Sequence, residues 1–181
     1  VQAINLSGIK YNANPGAPYI IIAGNPYLNH RLGASFTNPG AVVYAADNSV
    51  LLESLLPSNS IDVLAVGEQT LRYNHEGASE ATITANIQSP TLELQGNSPH
   101  NHQLNIPYTD PKAVFKEPNG EVISEVSSST PLNTFKPGTR TIQYSVVDSV
   151  SNQTFTTSRQ VVIGDTLLSR WRLDKGGRDD T

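Results

Sequence analysis

The sequence predicts an all-β chain of two tandem β-sandwiches, antiparallel and Greek-key in connection. Three observations predict it. Residues 18–43 and 90–115 repeat each other at a constant offset of 72 residues, without a gap and with ten identities over 26 positions. Self-similarity at a fixed period marks arrayed domains. The 12 Pro and 13 Gly punctuate short runs rich in Val, Ile, Tyr, Thr and Phe, the spacing of a sandwich. No segment keeps a helical period beyond about two turns. Val50–Leu56 (VLLESLL) is the one locally helix-like run, and Pro57 ends it.

Residues 1–17 lie outside the repeat: Ile4, Leu6 and Ile9 suggest a short strand, and Asn12–Pro18 a linker. Domain 1 spans 18–88 and domain 2 spans 89–164. Their first strands end at Gly24-Asn25 and Gly96-Asn97, where Gly and Asn supply the backbone a turn needs. Thr37-Asn38-Pro39 and Thr109-Asp110-Pro111 follow as turn initiators, because the residue before Pro is pushed out of the α region. Alternation is clearest in copy 2. Leu92 and Leu94 oppose Thr91, Glu93 and Gln95, and Ile142, Tyr144 and Val146 oppose Thr141, Gln143 and Ser145. Phe155, Thr157, Arg159, Val161 and Ile163 form the last strand.

Beyond residue 115 the offset falls to 71, matching Gly67, Thr70, Leu71 and Tyr73 to Gly138, Thr141, Ile142 and Tyr144. A buried tyrosine hydroxyl needs a partner. Tyr73 and Tyr144 are expected to bond back to the turn that precedes their strand. Copy 1 turns at His75–Ser79, and copy 2 has the longer last hairpin, turning at Asp148–Gln153. The joint near Gln88–Pro90 is short, which predicts a semi-rigid, elongated pair. Residues 165–181 form a tail in which Leu167, Leu168, Trp171 and Leu173 begin like a strand and the end turns polar.

Composition excludes several functions. The chain has 181 residues and no Cys, so disulfides, thiolate catalysis and Cys-based zinc sites are ruled out. Charged residues make up 15% and the net charge is −4; there is no basic stripe to bind nucleic acid. No apolar run approaches the ~18 residues of a membrane span. The chain begins at Val1 with no visible signal peptide, as a mature product or an excised fragment would. No G-x-S-x-G elbow is present, and the chain is expected not to be an enzyme.

Three residue sets retain some chemistry. His100 and His102 sit two apart, so on a strand they share a face, a spacing that suits a first-row metal; no third ligand is near in sequence, and surface histidines inherited by duplication, like His30, are the preferred reading. Asp110 and Asp148 lie in loops, with Glu117, Asp47 and Asp62, and make calcium the one cofactor to consider. No D-x-D-x-D-G loop accompanies them, and Asx turns explain them too. Tyr27, Tyr44 and Trp171 are candidates for a glycan platform, Tyr27 foremost because it lies in the Asn25–His30 loop. Core packing is the competing reading for the other rings.

Two segments carry a resemblance: Tyr108-Thr109-Asp110-Pro111-Lys112-Ala113 with Gly138–Asp148, and Phe36-Thr37-Asn38-Pro39-Gly40-Ala41 with Gly67–Tyr73. The set resembles bacterial immunoglobulin-like domains of the pesticidal-crystal-protein type, close in character to HYR modules. It covers roughly 18–88 and 90–163. Copy 2 departs from the pattern at Lys112, where Gly is usual, and copy 1 lacks the Asp after the Tyr strand. The resemblance implies tandem seven-stranded immunoglobulin-like β-sandwiches on secreted or surface bacterial proteins, with no catalytic residues. Leu167–Asp174 (LLSRWRLD) is fainter, and looks like the opening strand of a laminin-G or concanavalin-like lectin domain.

The expected function is therefore a non-catalytic spacer or adhesion segment of a secreted or cell-surface bacterial protein. The alternative is a glycan- or protein-binding module accessory to a secreted hydrolase or lectin-like domain. Expected partners are neighbouring domains of the same polypeptide, a surface glycan, or a host or biofilm protein; nucleic acid and membrane insertion are not expected.

Overall fold

The structure, a computed structural model, describes residues 16–164. The strand suggested at Ile4–Ile9, the tail from 165 and Trp171 lie outside the described residues. The chain divides into two compact units between Ser89 and Pro90. Each described unit is an all-β immunoglobulin-like sandwich.

Unit 1 contains β1 (Tyr19–Ile22), β2 (Tyr27–Arg31), β3 (Ala41–Tyr44), β4 (Val50–Leu55), β5 (Gly67–Tyr73) and β6 (Ala81–Gln88). One sheet has the order β1-β3-β4 and the other β2-β6-β5. Unit 2 repeats this with β7 (Thr91–Leu94), β8 (His100–Gln103), β9 (Ala113–Lys116), β10 (Val122–Val126), β11 (Gly138–Val147) and β12 (Thr154–Gly164). Its sheets are β7-β9-β10 and β8-β12-β11.

The pairing is not antiparallel throughout. β2 runs parallel to β6, and β8 runs parallel to β12. The opening strand of each unit is split: β1 pairs antiparallel with β3, and the chain then crosses at Gly24-Asn25 to the other sheet. Travelling in one direction past two sheets, it meets a partner of opposite sense first and of equal sense second. The described part of each unit holds six strands rather than seven, because 56–66 and 127–137 join no sheet.

The core follows the alternation. Ala41, Val43, Leu71, Tyr73 and Ile83 are buried in unit 1, and Ala113, Phe115, Ile142, Tyr144, Val161 and Ile163 in unit 2. Val50–Leu56 is corrected from its helix-like reading. β4 pairs with β3, Leu55 is buried, and Val50, Leu51 and Leu52 are exposed. A run this short cannot repay the cost of nucleating a helix, whereas the free edge of β3 offers backbone partners.

The two copies share backbone conformation even where residues differ. Gly40 and its counterpart Lys112 both have positive φ, +84° and +70°; Gly33 and Asn105 do likewise, at +76° and +63°. The turn geometry is thus a property of the scaffold, and copy 2 tolerates a side chain in it.

Candidate functional site

In each unit a fully buried tyrosine is tied to an Asx-Pro turn. In unit 1 the fully buried Tyr73 donates its hydroxyl to Oδ1 of Asn38. The same oxygen accepts the amide of Gly40 at 2.9 Å, closing an Asx turn. In unit 2 the Tyr144 hydroxyl donates to Oδ1 of Asp110 at 2.6 Å, and that oxygen accepts the Lys112 amide at 2.9 Å. The sequence led to the expectation that each tyrosine bonds to the turn before its own strand, and neither does. Both reach instead the Asx-Pro turn that opens β3 or β9, because that turn closes over the inward face of β5 or β11.

Unit 2 adds a charge. Arg159 on β12 is fully buried, and its Nε donates to the Tyr144 hydroxyl at 3.2 Å. Its other nitrogens donate to the carbonyls of Asn97 (3.1 Å), Gln95 (2.5 Å) and Lys112 (2.9 Å). It therefore fastens the crossing between β7 and β8 to the last hairpin. Arg159 pairs across from Ile142, and in unit 1 the same position opposite Leu71 is the buried Ile83. The replacement is concerted: Asn38 and Ile83 are neutral, Asp110 and Arg159 are opposite charges. A buried charge is tolerated only when paired and hydrogen-bonded. Burial pushes the Asp110 carboxyl upward; bonds from Tyr144, Ser128 and Lys112 and the Arg159 charge outweigh it, holding its pKa below the usual value. Burial likewise raises the Tyr144 phenol, and its bond to Asp110 raises it further.

The duplicated histidines are loop clamps. Nε2 of His30 donates to the Ala34 carbonyl and Nε2 of His102 to the Ile106 carbonyl, each at 2.9 Å. His30 rests edge-on against Phe36, and His100 and His102 both rest edge-on against Tyr108. The Tyr108 hydroxyl is buried and finds no hydrogen-bond partner among the described residues; Phe36, its counterpart, needs none.

The four metal candidates do not converge. His100 and His102 lie on β8 beside Val161 and Ile163, at the far end of β12 from the hairpin turn that holds Asp148. Asp148 is buried and accepts the Ser151 hydroxyl at 2.6 Å and its amide at 3.0 Å. Asp110 is committed to Tyr144, Lys112 and the Ser128 amide. Among the described residues no group of three His, Asp or Glu is placed to hold a metal.

Tyr27 and Tyr44 belong to different sheets, so they share no face. Tyr27 is 71% exposed on β2. Tyr44 stacks on Tyr19 with centroids 5.3 Å apart and planes 13° off parallel, so one face of its ring is covered. Trp171 lies outside the described residues. Sequence reasoning did not connect Tyr19, Ile21, Val42 and Tyr44, which line the outward side of β1 and β3. Their counterparts are Thr91, Glu93, Val114 and Lys116, where Lys116 pairs with Glu93 at 2.6 Å and Lys112 with Glu125. One outer face is apolar and the other charged. The signal was legible: β1 and β3 read YIII and AVVY, without the polar alternation of a solvated strand.

Residues 92–163 match the model of the bacterial surface protein Ig-like domain. The match covers unit 2 from β7 into β12 and names the surface family rather than the pesticidal-crystal-protein or HYR type. No curated protein matches the chain. Among solved structures, a lipoprotein of Bacteroides thetaiotaomicron aligns at 22% identity and a TM-score of 0.34, over 42% of this chain and 38% of its own. No helix of the described residues is long and apolar enough to cross a membrane.

Proposed function

We propose that the chain is a non-catalytic structural and adhesion segment of a bacterial cell-surface protein. The observation that carries this reading is the use to which polar side chains are put. Asn38, Asp110, Asp148, His30, His102 and Arg159 each hold a turn, loop or strand crossing within their own unit. The match of 92–163 to a surface-protein domain supports it. Protease shaving of intact cells carrying the native polypeptide should release peptides from 16–164. Peptides that appear only after lysis would sink the surface assignment.

A second reading, a module that binds protein rather than glycan, is favoured by the outward face of β1 and β3. Tyr19 and Tyr44 stack on each other, which leaves each ring at most one face for a sugar. The face they form with Ile21 and Val42 is uncharged and apolar, a composition common at protein contacts. Ile21→Glu with Tyr44→Lys installs the residues of copy 2 there. Under this reading the double variant stays folded and beads coated with it lose retention on cells that hold wild-type beads; undiminished retention rules that face out.

A further inference from the structure

We propose that unit 2 carries an acid-sensitive strut, built from Asp110, Tyr144 and Arg159, that unit 1 lacks. The geometry is a relay from the Asx turn through a buried hydroxyl to a buried guanidinium. Asp110 accepts Tyr144 at 2.6 Å, and Tyr144 accepts Arg159 at 3.2 Å. Arg159 in turn holds the carbonyls of Gln95 and Asn97, where β7 gives way to β8, and that of Lys112, at the start of β9. Three segments distant in sequence depend on one cation, and the carboxylate facing it is Asp110.

The groups around Asp110 are few. Tyr144 faces it from β11, Arg159 from β12, the Ser128 amide from the segment after β10, and Tyr108 and Lys112 from its own loop. The Lys112 ammonium is paired with Glu125 at the surface. His100 and His102 touch the Tyr108 ring rather than Asp110. Protonation places a hydrogen on a carboxylate that already accepts from one hydroxyl and two amides, and it removes the anion facing Arg159. A group with a lowered folded pKa stabilises fully above its unfolded value, and that stability is lost as pH falls through the folded one. For Asp110 that window begins in the ordinary carboxylate range and extends below it. In unit 1 the same place holds Asn38, Tyr73 and Ile83, none of which titrates in acid. Acid is therefore expected to open unit 2 before unit 1.

The test uses the full chain. Thermal unfolding from pH 7 to pH 3 is followed by calorimetry, with the two transitions assigned by hydrogen exchange of peptides from 18–88 and 91–164. The expected result is that Tm for 91–164 falls by about 5 °C or more beyond the fall for 18–88. In Asp110→Asn with Arg159→Ile, which restores the pairing of unit 1, the extra fall disappears. Equal falls in the wild type overturn the proposal. So does an extra fall that survives the double variant or vanishes in Asp148→Asn alone, since Asp148 is a buried carboxylate of unit 2. If the double variant does not fold, carbon NMR of the wild-type Asp110 carboxyl decides. Titration below the ordinary range together with loss of protection in 91–164 supports the strut. Titration in the ordinary range, with protection retained, overturns it.

Discussion

The hydroxyl of Tyr144 donates to Oδ1 of Asp110 at 2.6 Å, joining β11 to a turn 34 residues earlier in the chain. Tyr73 makes the same bond to Asn38 across 35 residues. The repeated T-(D/N)-P turn and the repeated tyrosine are two ends of one contact.

The two struts should differ in strength because one carries charge. Tyr73→Phe removes a neutral hydrogen bond and is expected to cost about 0.5–1.5 kcal/mol, whereas Tyr144→Phe removes bonds to a carboxylate and a guanidinium and should cost about 1.5–3 kcal/mol. Chemical denaturation of each variant checks the order. Equal costs would mean that the charge adds nothing.

Asp110 and Arg159 should couple. Asp110→Asn alone removes the charge from the acceptor of Tyr144 while Arg159 keeps its carbonyl bonds, and is expected to cost about 1.5–3 kcal/mol. Arg159→Ile alone removes bonds to carbonyls but leaves Asp110 half-exposed, able to draw on water. The double variant should cost less than the sum of the singles by about 1–3 kcal/mol. A double-mutant cycle measures this, and simple additivity would refute the concerted replacement.

The histidine clamps predict a modest loss. His30→Ala and His102→Ala each give up one bond to a carbonyl that water can reach, expected to cost about 0.5–1.5 kcal/mol. Zinc, nickel or millimolar calcium should leave the wild-type Tm unchanged, because Asp110 and Asp148 already accept internal donors. A rise of several degrees with any of them would show a site assembled in another way.

Lys112 tests the αL turn. Lys112→Gly relieves a side chain at φ +70° but loses the exposed pair with Glu125 and adds chain entropy to the unfolded state. These effects are each about 1 kcal/mol or less and oppose one another, so the net change should lie within about 1 kcal/mol. The reciprocal Gly40→Lys should destabilise unit 1, since it puts a side chain at φ +84° and β4 has Ser54 at the place of Glu125. Urea midpoints distinguish the two directions.

The sequence by itself determined the duplication, the strand-bearing segments, the positive-φ turns and the inward faces. All are local or periodic: a Gly-Asn pair or an alternation of Leu92 and Leu94 acts over a few residues. It placed Arg159 in the inward series of the last strand, and the lone charge there was the available sign of a buried network. What only the tertiary structure decided are the partners. Tyr144 could meet Asp110 only once two sheets faced each other, and β8 could lie parallel to β12 only once the opening strand had crossed between them. Tyr27 and Tyr44 were separated, and Tyr19 and Tyr44 stacked, by strand order. Contacts of this kind depend on which elements become neighbours, and a pattern of period two specifies the face of a strand but not the strand that faces it.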